Sequence, residues 1–266
     1  MLKQRLITAL VLIPFIIWAI FAASPLLFNI GVALLIIYAA WEWTRLMGWD
    51  SPIKQCAYLG FIAALILIFP YSNVYLVLSL AALFWLHMLF WLYQYPNSTE
   101  LWARNTVLVP WGAMILVPCW LSIATLRETP MGPQLILYLF VLIWAADTGA
   151  YFAGKQFGKH KLAPNLSPGK TLEGVLGGLL TAMLIAVIGG LYFGLTPMKF
   201  FTWLALAIVT ALISVAGDIT ISMFKRNQGM KDSGSIVPGH GGLLDRIDSL
   251  TAAAPIFVLG LLVFGI

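Results

Sequence analysis

Long apolar runs, about as long as a bilayer is thick, recur along this chain and leave few folds open to it. They cover roughly Leu6–Ala23, Leu27–Trp43, Ala57–Phe69, Val74–Leu92, Thr106–Ile123, Gln134–Phe152, Val175–Phe193, Phe200–Phe224 and Leu250–Ile266. A helix crosses the hydrocarbon in about 20 residues, and inside lipid every backbone N–H and C=O must be paired within the protein. A membrane barrel meets that demand with strands that alternate apolar and polar residues. These runs do not alternate. The expectation is an all-α, polytopic integral membrane protein with about nine transmembrane helices. Composition agrees: 61% of residues are hydrophobic and 9% charged, with a mean hydropathy of +0.95. The 11 Trp suit interfacial belts. The first run ends in small residues like a signal peptide, but its length and the many runs after it favour an uncleaved first helix. Cys56 and Cys119 imply no disulfide framework.

Charge sets an orientation. With a cytoplasmic N-terminus, nine spans put all Lys and Arg on the cytoplasmic side except Arg127 and Lys199. Positive-inside asymmetry this strong predicts a cytoplasmic N-terminus and an outward C-terminus. The net charge of +5 is thereby explained by topology, and no nucleic-acid partner is expected. Two long polar segments, 153–174 and 225–249, fall on the same cytoplasmic face. The whole chain, 1–266, reads as one membrane domain. Helices within 1–130 form its N-terminal part and 131–266 its catalytic part.

The scarce charge is concentrated there. Of 15 basic and 10 acidic residues, Lys225, Arg226, Lys231, Asp232, Asp245, Arg246 and Asp248 lie in one short window with His240 and several glycines. Asp218 precedes it inside an apolar run, on one helical face with Ser222 and Lys225. A carboxylate facing lipid is costly, so Asp218 is expected to face protein or a wet cavity. It could serve only as helix glue, and Asp245 and Asp248 could serve only as caps of the last helix. Neither reading explains why the basic residues crowd beside them. Carboxylates with Lys and Arg suit a divalent cation on a polyphosphate, and glycines let backbone N–H groups approach it. His240 reads as a loop hydrogen-bonder and phosphate donor, or as an acid. In the other segment Asp147, Lys170 and Thr171 stand out. "SPGKT" is not a P-loop, since Pro164 occupies the first glycine position and no strand is expected before it. Lys170 and Thr171 near a helix start could still bind an anion.

"SMFKRNQGMKDSGSIVPGHGGLLDRID", residues 222–248, resembles the signature of phosphatidate cytidylyltransferases. Ser222, Lys225, Arg226, Lys231, Asp232, Gly239, His240, Gly241, Gly242, Asp245, Arg246 and Asp248 all match it. "ADTGAYFAGKQFGKHKLAPNLSPGKTLEG" resembles the family's second cytoplasmic segment, and "MLKQRLITALVLIP" and "AAWEW" resemble bacterial members. The resemblance implies transfer of a cytidylyl group from CTP to phosphatidate, in phospholipid biosynthesis at a bacterial inner membrane. It implies Mg²⁺, with Asp218 and Asp245 as leading ligands and Asp248 as a third. Catalytic residues would be Asp218, Lys225, Arg226, Lys231, Asp232, His240, Asp245, Arg246 and Asp248. Asp147, Lys170, Thr171, Ser222, Gly241 and Gly242 would bind substrate. CTP, phosphatidate and membrane lipids are the expected partners; a second, monovalent cation and a homodimer stay open. The complete signature argues against a CTP-dependent lipid kinase. Charge gathered at one face argues against a transporter, whose site would lie near the midplane.

Overall fold

The computed structural model describes residues 13–236 and 241–266. Among them, eight helices are long and apolar enough to cross a membrane. In chain order the helices are α1 (Ile13–Ala22), α2 (Pro25–Leu46), α3 (Pro52–Ile68), α4 (Val74–Gln94), the short α5 (Thr99–Trp102), α6 (Asn105–Arg127), α7 (Gly132–Phe157), α8 (Leu172–Tyr192), α9 (Pro197–Asn227) and α10 (Leu244–Phe264). A 3₁₀ turn, Phe69–Tyr71, prolongs α3. The first expected span begins in residues outside those described.

Several helices outrun the apolar segments that announced them. α8 starts at Leu172 instead of Val175, α9 ends at Asn227 instead of Phe224, and α10 starts at Leu244 instead of Leu250. Hydropathy marks only the lipid-facing part of a helix, whereas caps mark its ends. Ser24 and Asn73 accept first-turn N–H groups of α2 and α4 through their side chains. The polar segments are correspondingly shorter than expected, and Asp245 and Asp248 sit inside α10.

The all-α reading holds for the membrane spans and is qualified at one place, where a strand does precede "SPGKT". Lys161–Ala163 (β1) and Ser167–Thr171 (β2) form an antiparallel hairpin in which Lys161 pairs with Thr171. The fold is therefore all-α in its membrane part, with a small β element between α7 and α8. The "SPGKT" segment is itself the second strand. Hydropathy could not announce so short a hairpin, rich in Pro and Gly. Its ends are tied by side chains instead: Lys161 Nζ donates to Pro168 O at 2.8 Å. The Glu173 carboxylate accepts from the N–H groups of Lys159 and His160 and meets His160 Nδ1 at 2.6 Å.

α6, α9 and α10 form the centre. Half or more of the apolar stretch of each is buried, against a third or less for the other spans. α7 and α8 pack closely through small residues. A Cβ at Gly177 would strike Ala153, and one at Gly149 would strike Thr181. Thr181 Oγ1 bonds back to Ala145 O at 2.8 Å. Small residues that let two backbones approach are the usual adhesive between helices in lipid. An aromatic cluster fixes α2 to the end of α9. Trp43 meets Phe224 edge-on at 4.9 Å, and Trp102 meets Phe224 at 5.5 Å.

Candidate active site

The polar ends of α7, β2, α9 and α10 meet at one place. Gly217 makes the meeting possible: a Cβ there would lie 2.6 Å from Asp248 O and 2.9 Å from Ala252 Cβ. The missing side chain lets α10 cross α9 at backbone contact, which puts Asp248 beside Asp218. From the hairpin, Lys170 Nζ reaches Asp218 Oδ2 at 2.6 Å. Asp147 on α7 is near enough to Lys170 and Asp218 to interact with both charges. Asp248 stands in the same relation to Asp218, Lys225 and Lys170. Three carboxylates from three helices thus share Lys170, and Lys225 acts on one of them, Asp248.

Asp218, Ser222 and Lys225 do share a face of α9, as their spacing predicts. Ser222 Oγ lies 3.4 Å from Asp218 Oδ1, a long contact. Lys225 turns elsewhere and pairs with Asp245 Oδ1 at 2.6 Å, both side chains being buried. Asp245 Oδ2 accepts from Ser233 N at 2.8 Å, Gly242 N at 3.0 Å and Ser233 Oγ at 3.1 Å. Both of its oxygens are occupied by protein. Its neighbours at the surface differ: Lys231, Asp232 and Arg246 are exposed. Arg226 spans the two polar segments, donating through Nε to Leu166 O and through Nη1 to Met230 O, each at 3.3 Å. Thr171 caps α8 by accepting from Gly174 N at 3.1 Å. His240 and Gly239 lie outside the described residues.

For a divalent cation the oxygens decide. Mg²⁺ prefers carboxylates and oxygen donors left over after the protein's own bonds. Asp218 Oδ1, which among the described residues has only the long Ser222 contact, and the neighbouring Asp248 fit that need. Asp245 does not fit it while Lys225, Ser233 and Gly242 hold it. Among the described residues, no three acidic, His or Cys side chains already converge into a metal-binding group.

Two features escaped the sequence reading. Glu42 of α2 is fully buried, and its carboxylate accepts from Leu243 N at 3.0 Å, Leu244 N at 2.7 Å and Ser233 Oγ at 2.8 Å. Arg45, one turn on, donates to Ser233 O at 3.0 Å. The signal was available: a lone Glu in an apolar span is rarely idle. The second is an apolar groove along α9, lined by Leu92, Tyr95, Leu162, Leu166, Val175 and Ile219 among others. Leu166 belongs both to it and to the Arg226 contact.

The sequence model of the Cytidylyltransferase family matches residues 3–264. The chain belongs to that family. It is 41% identical over 259 residues to the phosphatidate cytidylyltransferase of Pseudomonas aeruginosa, covering 97% of this chain and 96% of that one. It is 38% identical over 281 residues to the enzyme of the same name from Haemophilus influenzae, covering 97% of each. A Staphylococcus aureus phosphatidate cytidylyltransferase is 46% identical over 125 residues, 47% of this chain and 48% of its own.

Proposed function

We infer that this chain transfers the cytidylyl group of CTP to phosphatidate, giving CDP-diacylglycerol and pyrophosphate. The observation that carries the reading is the cluster of Asp147, Lys170, Asp218, Lys225 and Asp248 within a family match spanning almost the whole chain. A phosphomonoester has its second pKa near 6 (about 6), so the phosphate of phosphatidate is already a dianion and needs no strong base. One of its oxygens attacks the α-phosphorus of CTP. A P–O bond forms there, the bond to the β-phosphate breaks, and pyrophosphate leaves with the electron pair. The protein has to hold two polyanions in line and offset their charge. Lys170 suits that task. It sits on a hairpin, and its present partner Asp218 could exchange it for a metal. Arg226, Lys231 and Arg246 line the approach and meet the outer phosphates. Asp218 and Asp248 would hold Mg²⁺, which when bound neutralises phosphate charge as pyrophosphate departs. Asp245 keeps Lys225 and the 233–242 segment in place, a more modest role than metal ligand. The groove beside α9 accommodates an acyl chain of the lipid. The site faces the cytoplasm, the N-terminus is cytoplasmic and the C-terminus is outside, in keeping with the distribution of basic residues.

The test uses purified protein with phosphatidate, Mg²⁺ and CTP labelled either in the cytosine ring or in the γ-phosphate. Ring label should enter the lipid and γ label should leave as pyrophosphate, with EDTA stopping both. Lipid carrying the γ label would mean a kinase instead. A reporter active only outside the cytoplasm, fused after Ile266, should be active; a silent but expressed fusion refutes the orientation.

A further inference from the structure

We propose that Glu42, in the N-terminal part of the chain, is a positioning residue for cytidylyl transfer. It clasps both ends of the 233–244 segment and so holds Asp245 and Lys225 in register. Its three donors among the described residues come from the two ends of that segment: Ser233 from one, Leu243 and Leu244 from the other. Asp245 binds the same two ends, through Ser233 and Gly242. The Ser233 hydroxyl has one proton and lies between the two carboxylates, 2.8 Å from Glu42 and 3.1 Å from Asp245.

Two observations make the clasp specific. Leu243 at the start of α10 has no side-chain cap of its own, so the first N–H groups would be left unpaired. Glu42 supplies the cap from another helix, and a carboxylate is favoured at the positive end of the helix dipole. The glycines on the segment make room for it. A Cβ at Gly242 would lie 2.6 Å from Glu42 Oε1 and Oε2, and one at Gly234 would lie 2.9 Å from Glu42 Cδ. These glycines are therefore needed by a carboxylate of the protein, whatever they also offer a phosphate.

The chemistry requires an acid at position 42. Oε1 accepts from Leu243 N and Oε2 from Leu244 N. A glutamine, in either amide orientation, would turn its own NH₂ toward one of those N–H groups. On the reading proposed above the carboxylate touches no reacting atom, so its effect passes through Asp245, whose partner Lys225 also acts on the charge of Asp248 in the acidic cluster.

The experiment compares the parent with Glu42→Gln and Ser233→Ala, and with Glu128→Gln as a control acid outside the site. It reads kcat, KM for CTP and phosphatidate, thermal midpoint, and tryptic cleavage after the exposed Lys231 relative to cleavage at Lys155–Lys161. Glu42→Gln should lower kcat at least tenfold with KM within about threefold, and speed cleavage after Lys231 at least tenfold while the other segment is unchanged. Combined with Ser233→Ala, its effect on kcat should be less than the product of the two. A Glu42→Gln protein with parental kcat and parental cleavage overturns the proposal. So does a loss of kcat with unchanged cleavage, or with effects that multiply. A residue needed only for general stability would lower the midpoint and expose both segments alike. If Glu42→Gln cannot be purified, Gly234→Ala carries the same expectations, because its methyl displaces the same carboxylate. The cleavage arm uses no substrate, so it stands apart from the assignment of the reaction.

Discussion

Lys225–Asp245 and Lys170–Asp218 are both ion pairs of 2.6 Å, yet they stand in different surroundings. The first is buried, with side chains 10% and 4% exposed, and its aspartate takes three further bonds. The second is 22% and 29% exposed, and its aspartate has one oxygen almost free. A buried pair whose two carboxylate oxygens are both held by protein is a fixed joint, because removing one partner strands the other charge away from water. A half-open pair costs little to separate, since water and mobile ions replace what each partner loses. The same two residue types thus make a pin in one place and an exchangeable contact in the other. Distance alone does not tell them apart; the remaining partners do.

The contrast can be broken most forcefully at Asp245. Asp245→Ala should destabilise the protein by about 3–5 kcal/mol, the usual cost of orphaning a buried charge, and lower the thermal midpoint in detergent by many degrees. A parental midpoint would show that Lys225 finds other company. Next comes Asp218→Asn. Turnover should fall about 10²–10³-fold, the scale for losing a group that organises transition-state charge, and the residual activity should need more Mg²⁺. Its midpoint should stay near the parent's. If instead the two aspartates behave alike in both measurements, the division between pin and exchangeable contact is wrong.

Gly217→Ala tests the crossing that brings the two pairs together. Its methyl would meet Asp248 O and Ala252, so a loss of about 1–3 kcal/mol from overpacking is expected, with reduced turnover. A variant as stable and active as the parent would mean that α10 can shift without consequence. The smallest effect on stability belongs to Lys231→Ala. Lys231 is exposed, so the midpoint should move by less than about 0.5 kcal/mol equivalent. KM for both substrates should rise about tenfold, the order of one charge-assisted contact. Unchanged KM values would remove Lys231 from the phosphate path.

The membrane helices were legible because hydrophobic length is a local property: the runs around Val74–Leu92 and Phe200–Phe224 predict α4 and α9 with small errors at their ends. Residues of the charged cluster were legible for a similar reason, since Asp218, Lys225 and Asp248 lie on periodic helices near the polar ends. What stayed hidden is pairing. Lys225 could have met Asp218 on its own helix face, and only the fold hands it to Asp245. Glu42 is separated from Ser233 by most of the chain, and no spacing rule spans such a gap. Gly242 shows the limit most clearly. Its sequence context suggests a phosphate cradle, whereas in the fold its N–H is given to Asp245 and its missing side chain makes way for Glu42.

The reach of Glu42 across the molecule bears on how such enzymes can diverge. A carboxylate on α2 and a serine and two amides around the start of α10 form one lock, although they are encoded about two hundred codons apart. The N-terminal helices are consequently not a spare membrane anchor that recombination could exchange at will. A hybrid gene joining the front of one lineage to the back of another would keep working only if both parents carry the acid and the glycines that make room for it. A lineage that lost the acid would have to rebuild the start of its last helix at the same time.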